Sequence, residues 1–126
     1  MKFKGITPET EMALFHNEVD INVTITRLKT TKQHINALIK RDLIRHSEGF
    51  FKYNAQGFNS YGFNENCDVI FVDWSGKIIE LYPSFRPNTL TKHIPNAKFL
   101  YILAEGVIKI NGIEKDDEIH HERKRS

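Results

Sequence analysis

Cysteine is almost missing from this chain: Cys67 is the single one among 126 residues. That excludes an intrachain disulfide and a thiolate metal cluster, and it fits a reducing compartment. Long apolar runs are missing too, since none approaches the roughly 20 residues needed to span a bilayer. The start, MKFKGITPETEM, has no apolar segment of the kind a secretory signal requires, so the chain as written reads as cytoplasmic, a trimmed exported form being the other reading. A strong net charge is also missing, and +2 is too small to call for a nucleic-acid partner. The six histidines, at 16, 34, 46, 93, 120 and 121, show no His-x-x-x-His spacing, so neither a metal nor a cofactor is expected and they read as surface residues. Ser47, Ser60, Ser75 and Ser84 lack the Gly-x-Ser-x-Gly elbow, and EGVIKING has the wrong glycine spacing for a phosphate loop.

What is present is enough for one core. With 40% hydrophobic and 27% charged residues, the chain fits a single globular domain. TPETEMALFHN carries a helix start, with Thr7 placed to cap and Pro8 at the first helical position. INVTITRL alternates, which puts Ile21, Val23 and Ile25 on one face of a strand. TTKQHINALIKRDL then changes period, with Ile35, Leu38, Ile39 and Leu43 at helical spacing behind a threonine cap. Phe50 to Tyr53 reads as a strand, and the glycines and asparagines after it as irregular chain.

CDVIFVDWSGKIIELY predicts a hairpin, because Asp73 can bond its own backbone two residues on and Gly76 accepts left-handed geometry. YPSFRPNTLTKHIPNA, with three prolines, reads as a long ordered loop. KFLYILA is a further strand, and the short helix after it ends at Gly112, with Ile113 packing back on the turn. Helices this few cannot cover a parallel sheet, so the expected fold is mainly β (α+β): a compact antiparallel sandwich or partial barrel with an amphipathic helix over about 31–42 and a short helix over about 105–111. The expected division is an extension with a short helix over 1–20, one β domain over 21–119, and a disordered basic tail over 120–126.

Several stretches together resemble domain-of-unknown-function family 192, a group of small bacterial and archaeal proteins. Its members commonly show an Asp, an apolar run, a second Asp, a turn with glycine and a second apolar strand; here these are Asp68, Val69 to Val72, Asp73, Gly76 and Ile78 to Leu81. ALIKRDL, with Leu38 and Arg41, is similar to the family's Gly-Leu-Met-x-Arg helix, and GFFKY, with Gly49, to its Gly-Met-Leu-x-Phe. Ala97, Gly106, Gly112, Ile113 and Asp117 fall in register with the family's closing pattern. The likeness runs from about Ile21 to Ile119. It departs before Asp68, where Tyr61 to Cys67 contain no basic residue in place of Trp-Met-Lys-Asn or Met-Arg-Phe-Pro, at Ala37 where the family has Gly, and beside Pro87, where a tryptophan or arginine is lacking. The resemblance implies a compact, mostly antiparallel β fold and no established reaction.

Asp68 and Asp73 do not make a catalytic pair. Five residues apart in one strand, they point to opposite faces and sit some 16 to 17 Å apart, whereas a carboxylate dyad needs about 5 to 10 Å. Asp73 reads as a turn residue and Asp68 as an ion-pair partner for Arg41. Cys67 reads as a small buried residue, and the phenylalanines as core, although aromatics interleaved with bases in FFKY and YPSFRP also resemble a stacking platform. The candidate binding residues are Arg41, Asp68, Arg86 and Lys92, the last two because long ordered loops on a rigid sheet carry binding.

The reading is a non-enzymatic binding or accessory module for a small molecule or protein, acting through the loop from Tyr82 to Pro95 and the helix edge at Arg41. One alternative is a hydrolase or carbohydrate-acting enzyme whose site converges from several segments, with Arg41, Glu48 and Asp68 around a pocket. Another is nucleic-acid binding through the face from Arg27 to Arg45, where Lys29, Lys32, Lys40 and Arg41 meet one acid, Asp42.

Overall fold

The computed structural model describes residues 11–39 and 44–123. They form β1 (Glu11–His16), β2 (Val19–Arg27), α1 (Thr31–His34) continued by a π-helical turn (Ile35–Ile39), β3 (Glu48–Tyr53), β4 (Cys67–Val72), β5 (Ile78–Phe85), β6 (Phe99–Ala104), α2 (Val107–Ile110) and β7 (Ile119–Arg123). All seven strands join one sheet in the order β5-β4-β6-β3-β2-β1-β7. The expectation of a mainly β fold with few helices holds at that level.

The wholly antiparallel pairing does not hold. The sheet is mixed, because β2 and β3 run parallel, Thr24 opposite Glu48 through Arg27 opposite Phe51. The crossover that makes them parallel is the segment holding α1, since a parallel pair cannot be joined by a tight turn. Nor is the sheet a closed barrel. Edge strands β5 and β7 approach at one corner, where Lys77 bridges Glu118 and the Ile119 N–H reaches the Gly76 carbonyl at 2.8 Å.

The strands at both ends of the described residues belong to the sheet, contrary to expectation. The Thr7–Pro8 helix start lies outside the described residues, but Glu11–His16 is a strand and pairs with β2. The boundary at 20/21 therefore falls inside β2. Residues 120–123, expected as tail, lie in β7 and pair with β1, Met12 opposite Arg123. Alternation explains the last case: Ile119 is 1% exposed and the strand seats it against the core. The amphipathic helix runs through the described residues from Thr31 to Ile39, and its expected continuation to about 42 lies outside them. Thr30 does cap it, accepting from Gln33 N–H at 3.1 Å, while Gln33 Oε1 accepts from Lys29 and Thr30 N–H, a reciprocal capping box. After one α turn the helix widens into the π turn, which buries Leu38.

The run CDVIFV is buried at every position, as a continuous apolar strand covered on both faces should be. The hairpin after it follows its residues. Asp73 carboxylate accepts from Ser75 N–H at 2.9 Å, Ser75 Oγ at 2.7 Å and Lys77 N–H at 3.0 Å, and Gly76 takes φ 91°. Desolvation alone would raise the Asp73 carboxyl, but the bonds from the Ser75 hydroxyl and the Lys77 and Ser75 N–H groups, with the Lys77 charge, together hold it below its usual range. β5 runs on through Pro83 to Phe85, into what the prolines mark as loop. An edge strand tolerates this, since the missing Pro83 N–H has no neighbour to serve. From Arg86 to Ala97 the chain is ordered by a second irregular segment: buried Ser60 donates from Oγ to the Arg86 carbonyl at 2.5 Å and accepts there from Thr89 N–H, and Phe58 N–H bonds Thr91 Oγ1 at 2.9 Å.

Candidate functional site

Asp68 is fully buried and its carboxylate is engaged by three backbone donors. Oδ1 accepts from Ser84 N–H at 2.9 Å, and Oδ2 from Gly106 N–H at 3.1 Å and Ile108 N–H at 2.8 Å. The reason is local. Cys67 pairs with Phe85 and Val69 with Tyr82, so one residue of β4 faces two of β5 and the bulge leaves Ser84 N–H off the ladder, with Ser84 at φ 55°. The same carboxylate caps α2, which follows β6 and carries no side-chain cap of its own. Charge-assisted bonds of this kind are about twice as strong as neutral ones. The aspartate therefore fastens three segments, and its partners among the described residues are peptide N–H groups.

The other candidate residues lie in separate networks. Lys92 Nζ pairs with Glu80 at 3.0 Å on the surface, and that carboxylate raises the Lys92 pKa by hydrogen bond and charge. Arg86 is exposed, and its carbonyl serves Ser60. Arg41 lies outside the described residues. Glu48 accepts from Arg45 N–H at 3.1 Å. Cys67 is buried, and burial, with the Asp68 and Glu105 charges, pushes its thiol up to about 12, far from a reactive thiolate. Among the described residues no three His, Cys, Asp or Glu side chains gather as metal ligands, and no helix is long and apolar enough to cross a membrane.

A different group of residues does converge. Lys29 and Thr30 after β2, His34 in α1 and Lys52 in β3 line an open cavity of about 330 Å³. The crossover makes it: α1 lies over the end of the parallel pair, so residues that follow one another by 23 positions, Lys29 and Lys52, meet. Among the described residues no carboxylate pairs with either lysine. Burial holds the Lys52 pKa below its ordinary value, and burial first and then the Lys52 charge lower that of His34. His34 Nδ1 is a buried nitrogen without a hydrogen-bond partner. The hollow therefore gathers two lysines and a histidine, with burial disfavouring the charged forms of Lys52 and His34. Sequence reasoning marked the basic excess between Arg27 and Arg45 but could not single out Lys52, which comes from the next strand.

The histidines are not all surface residues. His121 sits among Phe51, Tyr53, Phe99 and Tyr101, with ring centroids 4.4 to 6.3 Å away, and its Nδ1 lies 2.6 Å from the Tyr101 hydroxyl. Burial, and then the neighbouring His120, lower its pKa to about 4. His120, on the other face of β7, stacks on Phe15 at 4.9 Å.

No family model and no curated protein matches the chain. Two solved structures are similar to it. A candidate transcription regulator from Sinorhizobium meliloti 1021 superposes with a TM-score of 0.77 at 13% sequence identity, over 93% of this chain and 98% of that one. A protein of unknown function from Novosphingobium aromaticivorans DSM 12444 gives a TM-score of 0.69 at 13% identity, over 87% of this chain and 83% of that one. At such identities the likeness is one of fold.

Proposed function

We propose that the chain is a non-enzymatic binding module whose site is the hollow of Lys29, Thr30, His34 and Lys52 and whose ligand is a small oxyanion such as phosphate or a carboxylate. The observation that carries this reading is the convergence of three basic side chains on one cavity, two of them with pKa values lowered by burial. An anion held there compensates the desolvated charges, and Thr30 supplies a hydroxyl beside them. The non-enzymatic part is supported by Asp68, the acid a hydrolase would have recruited, whose oxygens are committed to the backbone.

We also propose that the chain is a divergent member of domain-of-unknown-function family 192. Support comes from what its matching residues do: Asp68 ties β4, β5 and α2 together, Gly76 turns the hairpin, and Gly112 (φ 62°) with Ile113 closes α2, the Ile113 N–H reaching the Ile108 carbonyl at 2.9 Å. These are folding roles, so the fingerprint can persist while the ligand site varies.

Inorganic phosphate titrated into the protein, with the His34 ring followed by NMR, tests the site. The expected result is a saturable shift with a Kd below about 1 mM and a rise in the His34 pKa, both abolished by Lys52→Met. A response that does not saturate, or one that survives Lys52→Met unchanged, sinks the proposal.

A further inference from the structure

Four residues from four neighbouring strand ends form a row on the same end of the sheet. Arg27 closes β2, Tyr53 closes β3, Lys98 immediately precedes β6, and Trp74 follows β4 in the hairpin. Strands β4, β6, β3 and β2 are consecutive in the sheet, with β2, β3 and β4 pointing the same way, so their four terminal residues come out side by side. Cation and ring alternate along the row. Arg27 Cζ lies 3.9 Å from the Tyr53 ring centroid, and Lys98 Nζ lies 5.6 Å from Tyr53 and 3.6 Å from Trp74. Trp74 is 74% exposed and Tyr53 37%, so most of the indole stays in water beyond its contact with Lys98. Asp73, the adjacent acid, is turned into its own hairpin by three hydrogen bonds.

The geometry points to a stacking platform for single-stranded nucleic acid, with a base on the exposed Trp74 ring, phosphates on Lys98 and Arg27, and Tyr53, whose ring Arg27 covers, holding that guanidinium in the row. Exposed rings with cations between them at strand spacing match the chemistry of a polyanion that carries a flat group on every unit. Three strand spacings of about 4.8 Å each make the row long enough for about two to three nucleotides. The sequence interleaves aromatics and bases in FFKY, but Phe50 and Phe51 go to the core; the exposed interleaving is made between strands. This platform is separate from the oxyanion hollow, because Lys52 and Tyr53 are successive residues of β3 and face opposite sides of the sheet.

Trp74 is the only tryptophan, so its fluorescence reports the site directly. An oligothymidylate of about eight nucleotides, the footprint of comparable single-strand surfaces, is titrated into the full chain. Saturable quenching is expected, and with two phosphates neutralised the affinity should fall roughly sevenfold between about 50 and 200 mM salt. Lys98→Ala should cut affinity several-fold and halve that salt slope, while Lys52→Met should leave the quenching unchanged, which separates this site from the hollow. Absence of quenching, equal quenching by polyglutamate or by a duplex of the same length, or full affinity in Lys98→Ala would each overturn the inference.

Discussion

At the scale of single residues, Asp68 carries the most structure. A fully buried carboxylate is costly to desolvate unless donors surround it, and here three peptide N–H groups do so from two separate segments. Removing it strands all three. Asp68→Ala should therefore lower unfolding stability by at least about 3 kcal/mol in chemical denaturation, since each orphaned buried donor costs about 1–3 kcal/mol. A loss below about 0.5 kcal/mol would mean that the bulge and α2 hold without it. The sequence marked this residue as more than a turn former and suggested Arg41, which lies outside the described residues, as its partner. Strand alternation shows where a side chain points, while the identity of the N–H groups waiting there depends on a bulge 16 residues later and a helix 38 residues later.

Elements come next, and here Gly49 decides a pairing. A Cβ at this position would stand 2.5 Å from Leu103 Cδ2 and 3.0 Å from the Ile102 carbonyl oxygen, because β3 and β6 close on each other at the Gly49–Leu103 pair. Leu103 is fully buried and its neighbour atom is backbone, so neither can give way freely. Gly49→Ala should cost about 1–3 kcal/mol, the usual range for overpacking a core, read as a lower denaturation midpoint with unchanged m-value. A neutral Gly49→Ala would show that the two strands have slack. Hairpin, turn glycine and the α2 terminator were all legible in the sequence, since they depend on residues within five or six positions of one another. The β1 strand was not, because Thr7, Pro8 and two glutamates signal a helix start, whereas Asn17 and Glu18, both at positive φ, turn Glu11–His16 back onto β2, and β7 pairs its other edge from over a hundred residues away.

For the molecule as a whole, β7 is the last strand in the chain and forms the edge of the sheet beside β1. His121 anchors it in the aromatic cluster, and the pH dependence of global stability follows from that anchor. Its folded pKa of about 4 lies below the ordinary 6.5, so folding favours the neutral ring. Stability from this group is complete above about pH 6.5 and declines as pH falls through 6.5 toward 4, because protonation charges a ring buried inside the cluster. His34, also lowered, adds to the same slope, whereas Asp73 and Asp117, lowered from 3.8, act at more acidic pH. Thermal unfolding followed from pH 7.5 to 4 should show a falling Tm that His121→Phe flattens substantially. An unchanged slope in His121→Phe would remove the anchor from the account.

By itself the sequence determined the periodicities and turns: an alternating β2, an apolar β4 buried on both faces, the Asp73–Gly76 hairpin, the capped start of α1 and the Gly112 stop. Each is set by neighbours along the chain, whose distances the backbone fixes. Only the tertiary structure decided that β2 and β3 run parallel, that β7 pairs with β1, that Asp68 meets peptide donors, and that Lys52 and Lys29 line one cavity while Trp74 and Tyr53 line up with Lys98 and Arg27. Those contacts join residues that are distant in sequence, and strand order, which no local pattern encodes, is what brings them together.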